Sequence, residues 1–233
     1  GFTALKTGLP KPGGLIDSPA FLRRCEEYLG AIRLAVGDSI EVGVDFHGVF
    51  SPAQAIQTIK AIEQFHPMFV EEPCLPGNVD TMVTIARSTT IPIATGERLF
   101  TRFGFREWIE KQAASIYQPD ISHSGGILEA RKIAAMAETY YAGIAPHCPL
   151  GPISLAAGLQ LDASIPNFVC QEHVSLGGGY LKQPFVVHDG VIDLPTGPGL
   201  GIEVDEEAFA DKLFDGSWPN SETYYEDGSV SDW

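Results

Sequence analysis

Short apolar runs alternate with helical stretches from one end of this 233-residue chain to the other, and that alternation constrains the fold more than any single motif. Strand-like runs are read at residues 2–5, 40–44, 68–70, 91–94, 114–117, 143–145 and 168–170. Helical stretches are read between them at 19–36, 52–65, 79–88, 102–111, 127–140 and 153–163, with Asp17 or Ser18 and Ser51 as caps of the first two. Strands that alternate with helices at this spacing mean βα units and a parallel sheet. A train of seven such strands points to an α/β barrel of the (β/α)₈ TIM type with one unit missing. No G-x-G-x-x-G follows any strand, which weakens a dinucleotide-binding sheet. Beyond residue 170 the chain turns Gly-rich, then a hairpin is expected around His188-Asp189-Gly190 and a short acidic helix at 206–214.

Thirty acidic side chains against fifteen basic ones give a formal net charge of −15. That balance argues against nucleic acid and against an anionic membrane as partners, because both call for basic patches. The four cysteines form no CxxC pair, as expected of a reduced, cytoplasmic protein. The longest charge-poor run, residues 139–161, carries Pro146, Pro149 and Pro152, so a membrane helix is not expected. The chain begins with Gly in a strand-like segment, and further sequence is expected upstream.

In a parallel barrel the loops that follow the strands share one face, where the active site lies. Here each of the later strands ends in a carboxylate or an imidazole: Asp45-Phe46-His47, Glu71-Glu72-Pro73, Gly96-Glu97-Arg98, Gln118-Pro119-Asp120, Pro146-His147-Cys148 and Gln171-Glu172-His173. Asp45, Glu71 and Glu97 are spaced 26 residues apart, which predicts equal height on adjacent strands. Three converging carboxylates repel unless a cation holds them, and hard oxygen donors favour Mg²⁺. The plainer reading, that each carboxylate caps the following helix, suits one such residue better than three in register. His123 reads as structural, His173 as a solvated neighbour of Glu172, and His66 and His188 as surface residues. Trp218, Trp233 and the Tyr224-Tyr225 pair read as packing residues.

Taken in order, Val44-Asp45-Phe46-His47-Gly48, Glu71-Glu72-Pro73, Thr95-Gly96-Glu97-Arg98-Leu99, Gln118-Pro119-Asp120, Ser122-His123-Ser124-Gly125-Gly126, the run from Ala145 to Pro152 and Pro195-Thr196-Gly197-Pro198-Gly199-Leu200-Gly201 resemble the enolase superfamily, in its mandelate racemase subgroup, nearest to the D-galactonate dehydratases. The resemblance implies a modified barrel that lacks its first strand and the N-terminal α+β capping domain. It also implies a barrel domain at 1–203, and a C-terminal helix and tail at 204–233 packing on the barrel or on the absent cap. It makes Asp45, Glu71 and Glu97 the Mg²⁺ ligands, with Glu72 turned away from the metal. It makes His147 the general base, Asp120 its partner, His47 the general acid, and Glu172 a neutral acid with a raised pKa that stabilises the enolate oxygen. Lys6, placed at the end of the first strand, would neutralise a substrate carboxylate. The superfamily's Lys-x-Lys motif is Lys6-Thr7-Gly8 here, which disfavours lysine-based racemisation. The implied activity is Mg²⁺-dependent dehydration of a small-molecule sugar acid, D-galactonate first among the aldonates, by a homo-oligomer. Another aldonate, such as gluconate, arabinonate or mannonate, and a non-catalytic barrel relative that binds or regulates are the competing readings.

Overall fold

The computed structural model of the chain describes residues 1–211, 213–217, 224 and 228–230. Among them, strands β1 (Ala4–Gly8), β2 (Glu41–Asp45), β3 (Phe69–Glu71), β4 (Ile93–Thr95), β5 (Ile116–Tyr117) and β6 (Gly143–Ile144) form one parallel sheet in chain order. Helices α1 (Pro19–Val36), α2 (Pro52–Ile62), α3 (Val79–Ala86), α4 (Thr101–Glu110), α5 (Ile127–Glu138) and α6 (Pro152–Asp162) follow the strands one by one. A short antiparallel pair, β7 (Val187–His188) and β8 (Val191–Ile192), forms the expected hairpin.

Local chemistry sets the helix starts. Ser18 caps α1 by accepting from the Phe21 amide, and Ser51 caps α2 by accepting from the Gln54 amide. Pro19 and Pro52 open these helices, where a missing N–H costs nothing. α1 buries Phe21, Cys25 and Leu29, one stripe at helical spacing. That stripe meets Val42, Val44 and Val70, which the strands turn outward toward the helices. The intervening strand residues point inward. Phe69, Ala94, Ile116 and Ala145 form a separate cluster with Met68 and Cys170. Strand alternation then places Glu71, Gln118, His147 and Glu172, each two residues past a member of that cluster, on the inner side at the strand ends.

Four expectations are corrected. The first strand lies later than expected, so Lys6 sits at its centre opposite Gly43 and not at its end. The seventh run makes a single parallel bridge, Ile144 to Phe168, with Ile144 N–H donating to the Asn167 carbonyl and Val169 N–H to the Ile144 carbonyl. The run therefore continues the sheet beyond the two-residue β6 by one bridge and not as a full strand. The acidic helix expected at 206–214 is one 3₁₀ turn, Glu206–Phe209, capped by Asp205. Poor hydrogen-bond geometry keeps such turns short. Phe209 lies against Tyr180, with ring centroids 6.0 Å apart, and Asp205 N–H donates to the Tyr180 carbonyl. Tyr224 is exposed, against the packing role expected of it, whereas Trp218, Tyr225 and Trp233 lie outside the described residues.

A cavity of about 880 Å³ opens between β1 and the segment 168–174. Asp162, at the end of α6, lines it, and neither of its buried carboxylate oxygens has a hydrogen-bond partner. Burial alone pushes its pKa up to about 8. The folded chain therefore holds this proton more tightly than the unfolded chain, in which an Asp titrates near ~3.9. The stability linked to Asp162 is whole below about pH 4 and is lost as pH rises toward 8, by on the order of a few kcal/mol at ~1.36 kcal/mol per unit. Asp162→Asn is expected to be nearly neutral at pH 4 and to stabilise the chain by roughly 2 kcal/mol or more at pH 8, read by urea unfolding. Equal effects at the two pH values would contradict the burial argument.

Candidate active site

Asp45 and Glu71 are register partners at the ends of β2 and β3. Glu97 is not level with them. Glu71 pairs with Ala94, so Glu97 lies three residues beyond its neighbour's level, past the end of β4. The equal spacing in sequence therefore does not become equal height. Gly96 makes up the difference. Its φ of +146° turns the chain back toward the axis, and a Cβ there would lie 2.8 Å from the Gln118 amide nitrogen. With that turn, one carboxylate oxygen from each of Asp45, Glu71 and Glu97 falls within 4.8 Å of the others. Glu71 Oε2 is buried and has no hydrogen-bond partner. Three hard oxygen donors with an unpartnered buried oxygen among them fit a divalent cation.

Lys6 reaches into the same space. Its Nζ lies 3.1 Å from Asp45 Oδ2, 2.8 Å from Glu71 Oε1 and 2.8 Å from Glu172 Oε1. Burial works against its charge, but Glu71, Asp45 and Glu172 outweigh it and hold the pKa above the ordinary lysine value. The ammonium therefore stays protonated and is unsuited to act as a base. Glu71 is pushed up to about 7, by burial first and by Asp45 second, against the pull of Lys6.

Asp120 and His147 stand as expected. Asp120 Oδ1 accepts from the amides of Ser122 and His123, which leaves Oδ2 to meet His147 Nδ1 at 2.9 Å. Burial of Asp120 is outweighed by these hydrogen bonds, and its pKa is lowered. His147 Nε2 then faces Glu97 Oε2 at 3.4 Å. Burial lowers the imidazole's pKa, but Asp120, Glu97 and Glu172 prevail and raise it. His47 approaches the cluster from another member, its Nε2 3.2 Å from Asp45 Oδ2 and its side chain 53 % exposed. The two imidazoles thus touch different carboxylates of one group.

The protonation state expected of Glu172 is corrected. Burial would raise its pKa, but the Lys6 ammonium and the Cys148 amide, which donates to Glu172 Oε2 at 2.8 Å, lower it. Its pKa is thus lowered, opposite in direction to the raised value expected of it. Glu72 is turned away from the cluster as expected, and Arg98 Nε donates to its Oε2 at 2.7 Å. Burial, with Glu97 adding, pushes Glu72 up to about 7. His123 lies 3.7 Å from Asp120 Oδ2, farther than His147. His173 is not simply solvated, since its ring lies against Phe2 with centroids 5.5 Å apart and burial lowers its pKa. His66 and His188 are exposed. Sequence reasoning missed the contacts of Arg98, although its place directly after Glu97 was the available signal.

The comparisons agree with this architecture. Residues 1–208 match the family model described as Enolase C-terminal domain-like. The chain is 40% identical to a D-galactonate dehydratase of Ralstonia pickettii (strain 12J) and 41% identical to one of Cronobacter sakazakii (strain ATCC BAA-894), each over a 244-residue alignment. Both alignments cover 100% of this chain and 64% of the relative, so the chain spans under two thirds of the curated relatives it matches. Among solved structures, an enolase from Agrobacterium radiobacter with bound Na and L-malate superposes with a TM-score of 0.90 at 30% identity, over 99% of this chain and 63% of that one. A mandelate racemase/muconate lactonizing enzyme from Sulfitobacter sp. gives 0.83 at 42% identity, over 89% and 54%. Among the described residues, no helix is long and apolar enough to cross a membrane.

If the three carboxylates form a cation site, calorimetric titration with Mg²⁺ is expected to show an affinity that falls at least ~10-fold in Glu97→Gln, a loss of ~1.4 kcal/mol. Unchanged affinity would remove Glu97 from the site. The shared match over residues 1–208, the parallel sheet and the carboxylate cluster at its strand ends together mean that this chain belongs to the enolase C-terminal domain-like family.

Proposed function

We propose that this chain carries the catalytic barrel of a sugar-acid dehydratase, which takes the C2 proton and the C3 hydroxyl from an aldonate and yields a 2-keto-3-deoxy acid. The observation that carries the reading is the placement of two imidazoles, His147 and His47, against different members of one carboxylate cluster. The relatives named D-galactonate dehydratase support D-galactonate as the first substrate to test.

Asp45, Glu71 and Glu97 would hold Mg²⁺, which when bound neutralises charge developing on the substrate carboxylate. His147 removes the C2 proton at Nε2. Asp120 holds Nδ1 in the donor tautomer and stabilises the imidazolium that results. His47 donates its proton to the C3 hydroxyl, which departs as water. The enol left behind tautomerises to the keto acid. Lys6, a permanent cation among Asp45, Glu71 and Glu172, neutralises an anionic oxygen of the substrate. Glu172, its pKa lowered rather than raised, serves to orient Lys6 and the loop at Cys148. The partner in this reading is a small acid, and the assembly is a homo-oligomer in the cytoplasm.

The two histidines should fail differently. In D₂O, followed by proton NMR on the full-length protein with D-galactonate, His147→Asn is expected to stop both C2 exchange and dehydration. His47→Asn is expected to keep C2 exchange while water loss falls by roughly 10²–10⁴-fold, the usual contribution of a general acid. The opposite pattern would reverse the roles. Wild-type rates in both variants would end the proposal.

A further inference from the structure

Two residues without glycine's freedom adopt left-handed backbone at adjacent strand ends: His47 with φ +52° and Glu72 with φ +38°. Such conformations are costly and persist only where their surroundings hold them. Here the two ends are stitched together. Phe46 N–H donates to the Glu71 carbonyl at 2.9 Å, and Gly48 N–H donates to the Glu72 carbonyl at 2.8 Å. Arg98, from the end of β4, spans the stitch. Its Nε donates to Glu72 Oε2 at 2.7 Å, and its Nη2 donates to the His47 carbonyl at 3.2 Å. The Glu72 side chain is fully buried, whereas the Arg98 side chain is only 24 % exposed.

We infer that Arg98 is a positioning residue: its guanidinium clamps the Glu72 carboxylate and the His47 carbonyl at once, and so sets where the His47 imidazole stands over the substrate. The inference rests on the dehydratase reading and deepens it. The half-exposed His47 imidazole is aimed by its backbone together with Asp45, which lies 3.2 Å from its Nε2 and accepts from its backbone N–H. The backbone is strained, and the clamp acts on the strained residue itself. A planar fork can serve two acceptors on different strands at fixed separation, whereas a lysine ammonium is a single point on a flexible stem. Arg98 Nε also lies 3.7 Å from Glu97 Oε1, and Glu97 Oε2 faces His147 Nε2 at 3.4 Å, so Arg98 meets the base only through Glu97. His147 is oriented chiefly by Asp120, from the loop after β5, at 2.9 Å. Two direct hydrogen bonds on the acid's side against one longer, indirect contact on the base's side mean that loss of the clamp should harm the acid step far more than proton abstraction.

The test uses the full-length protein with Arg98→Met and Arg98→Lys, and His47→Asn as reference. One readout needs no substrate: hydrogen exchange of the Gly48 amide, which is bonded to the Glu72 carbonyl. It is expected to speed up about tenfold or more in Arg98→Met while amides of α5 stay protected, as befits a local opening. The second readout is the D₂O experiment with D-galactonate. Water loss is expected to fall about 10²-fold, the scale of a misplaced catalytic group, while C2 exchange stays within about threefold of wild type. Arg98→Lys, which keeps the charge, should show the same split to a smaller degree. Gly48 exchange at the wild-type rate in Arg98→Met overturns the clamp. So does an equal fall in C2 exchange and water loss, which would make Arg98 a support of the whole site. If α5 loses protection in Arg98→Met, Arg98→Lys alone decides by the same two readouts. If the wild type neither exchanges nor dehydrates any aldonate, the dehydratase reading fails, and Gly48 exchange still decides whether Arg98 holds the loop.

Discussion

Convergence of negative charge at one end of a parallel sheet is the constraint on which the rest of this molecule depends. Asp45, Glu71 and Glu97 bring carboxylate oxygens within 4.8 Å of one another, and Glu172 joins them through Lys6. Charges at that separation repel strongly away from bulk water. The chain answers with the Lys6 ammonium, whose charge three carboxylates support against burial, and with Arg98, 3.7 Å from Glu97. That answer is partial, because Glu71 still has a buried oxygen without a partner and a pKa pushed up to about 7. A surplus of buried negative charge aimed at one point is the electrostatic condition of a cation site.

The fold tolerates this because the charged layer and the apolar layers are kept apart. Outward strand residues such as Val42, Val44 and Val70 pack on helices. Inward residues such as Phe69, Ile116 and Ala145 form a second apolar cluster, and Phe69 and Ala145 line the cavity that reaches Lys6 and Glu172. The strands are short, two to five residues each, so the ladder itself contributes little, and burial between sheet and helices supplies most of the cohesion. Gly43 shows how tight the inner layer is, since a Cβ there would meet the Phe69 ring at 2.7 Å.

Aim comes from the turns that end the strands. His47, Glu72 and Gly96 all have positive φ, and each redirects the chain just where a functional side chain must leave the sheet. Strain of this kind gathers at sites that are over-determined by their surroundings. Arg98, Glu72 and the Gly48 amide provide that over-determination on one side, and Asp120 with the Ser122 and His123 amides provides it on the other. The base and the acid are thus held by different hydrogen bonds, and the two sets meet at Glu97, which lies near both Arg98 and His147.

Alternating βα units, helix caps at Ser18 and Ser51, and polar residues at strand ends could all be read from the sequence, because each depends on local periodicity or local hydrogen bonding. The pairing of His147 with Asp120 was implied by the family resemblance, and the 2.9 Å contact agrees with it. Three things were decided only in three dimensions. That 168–170 pairs with β6 through a single bridge could be seen only in the sheet, because pairing depends on the neighbouring strand and not on the run itself. The level of Glu97 depended on barrel register and on the Gly96 turn, which residue spacing does not encode. The charge of Glu172 depended on a lysine 166 positions away in sequence but 2.8 Å away in space. Sequence determines which groups can ionise. Proximity across the fold decides which of them do.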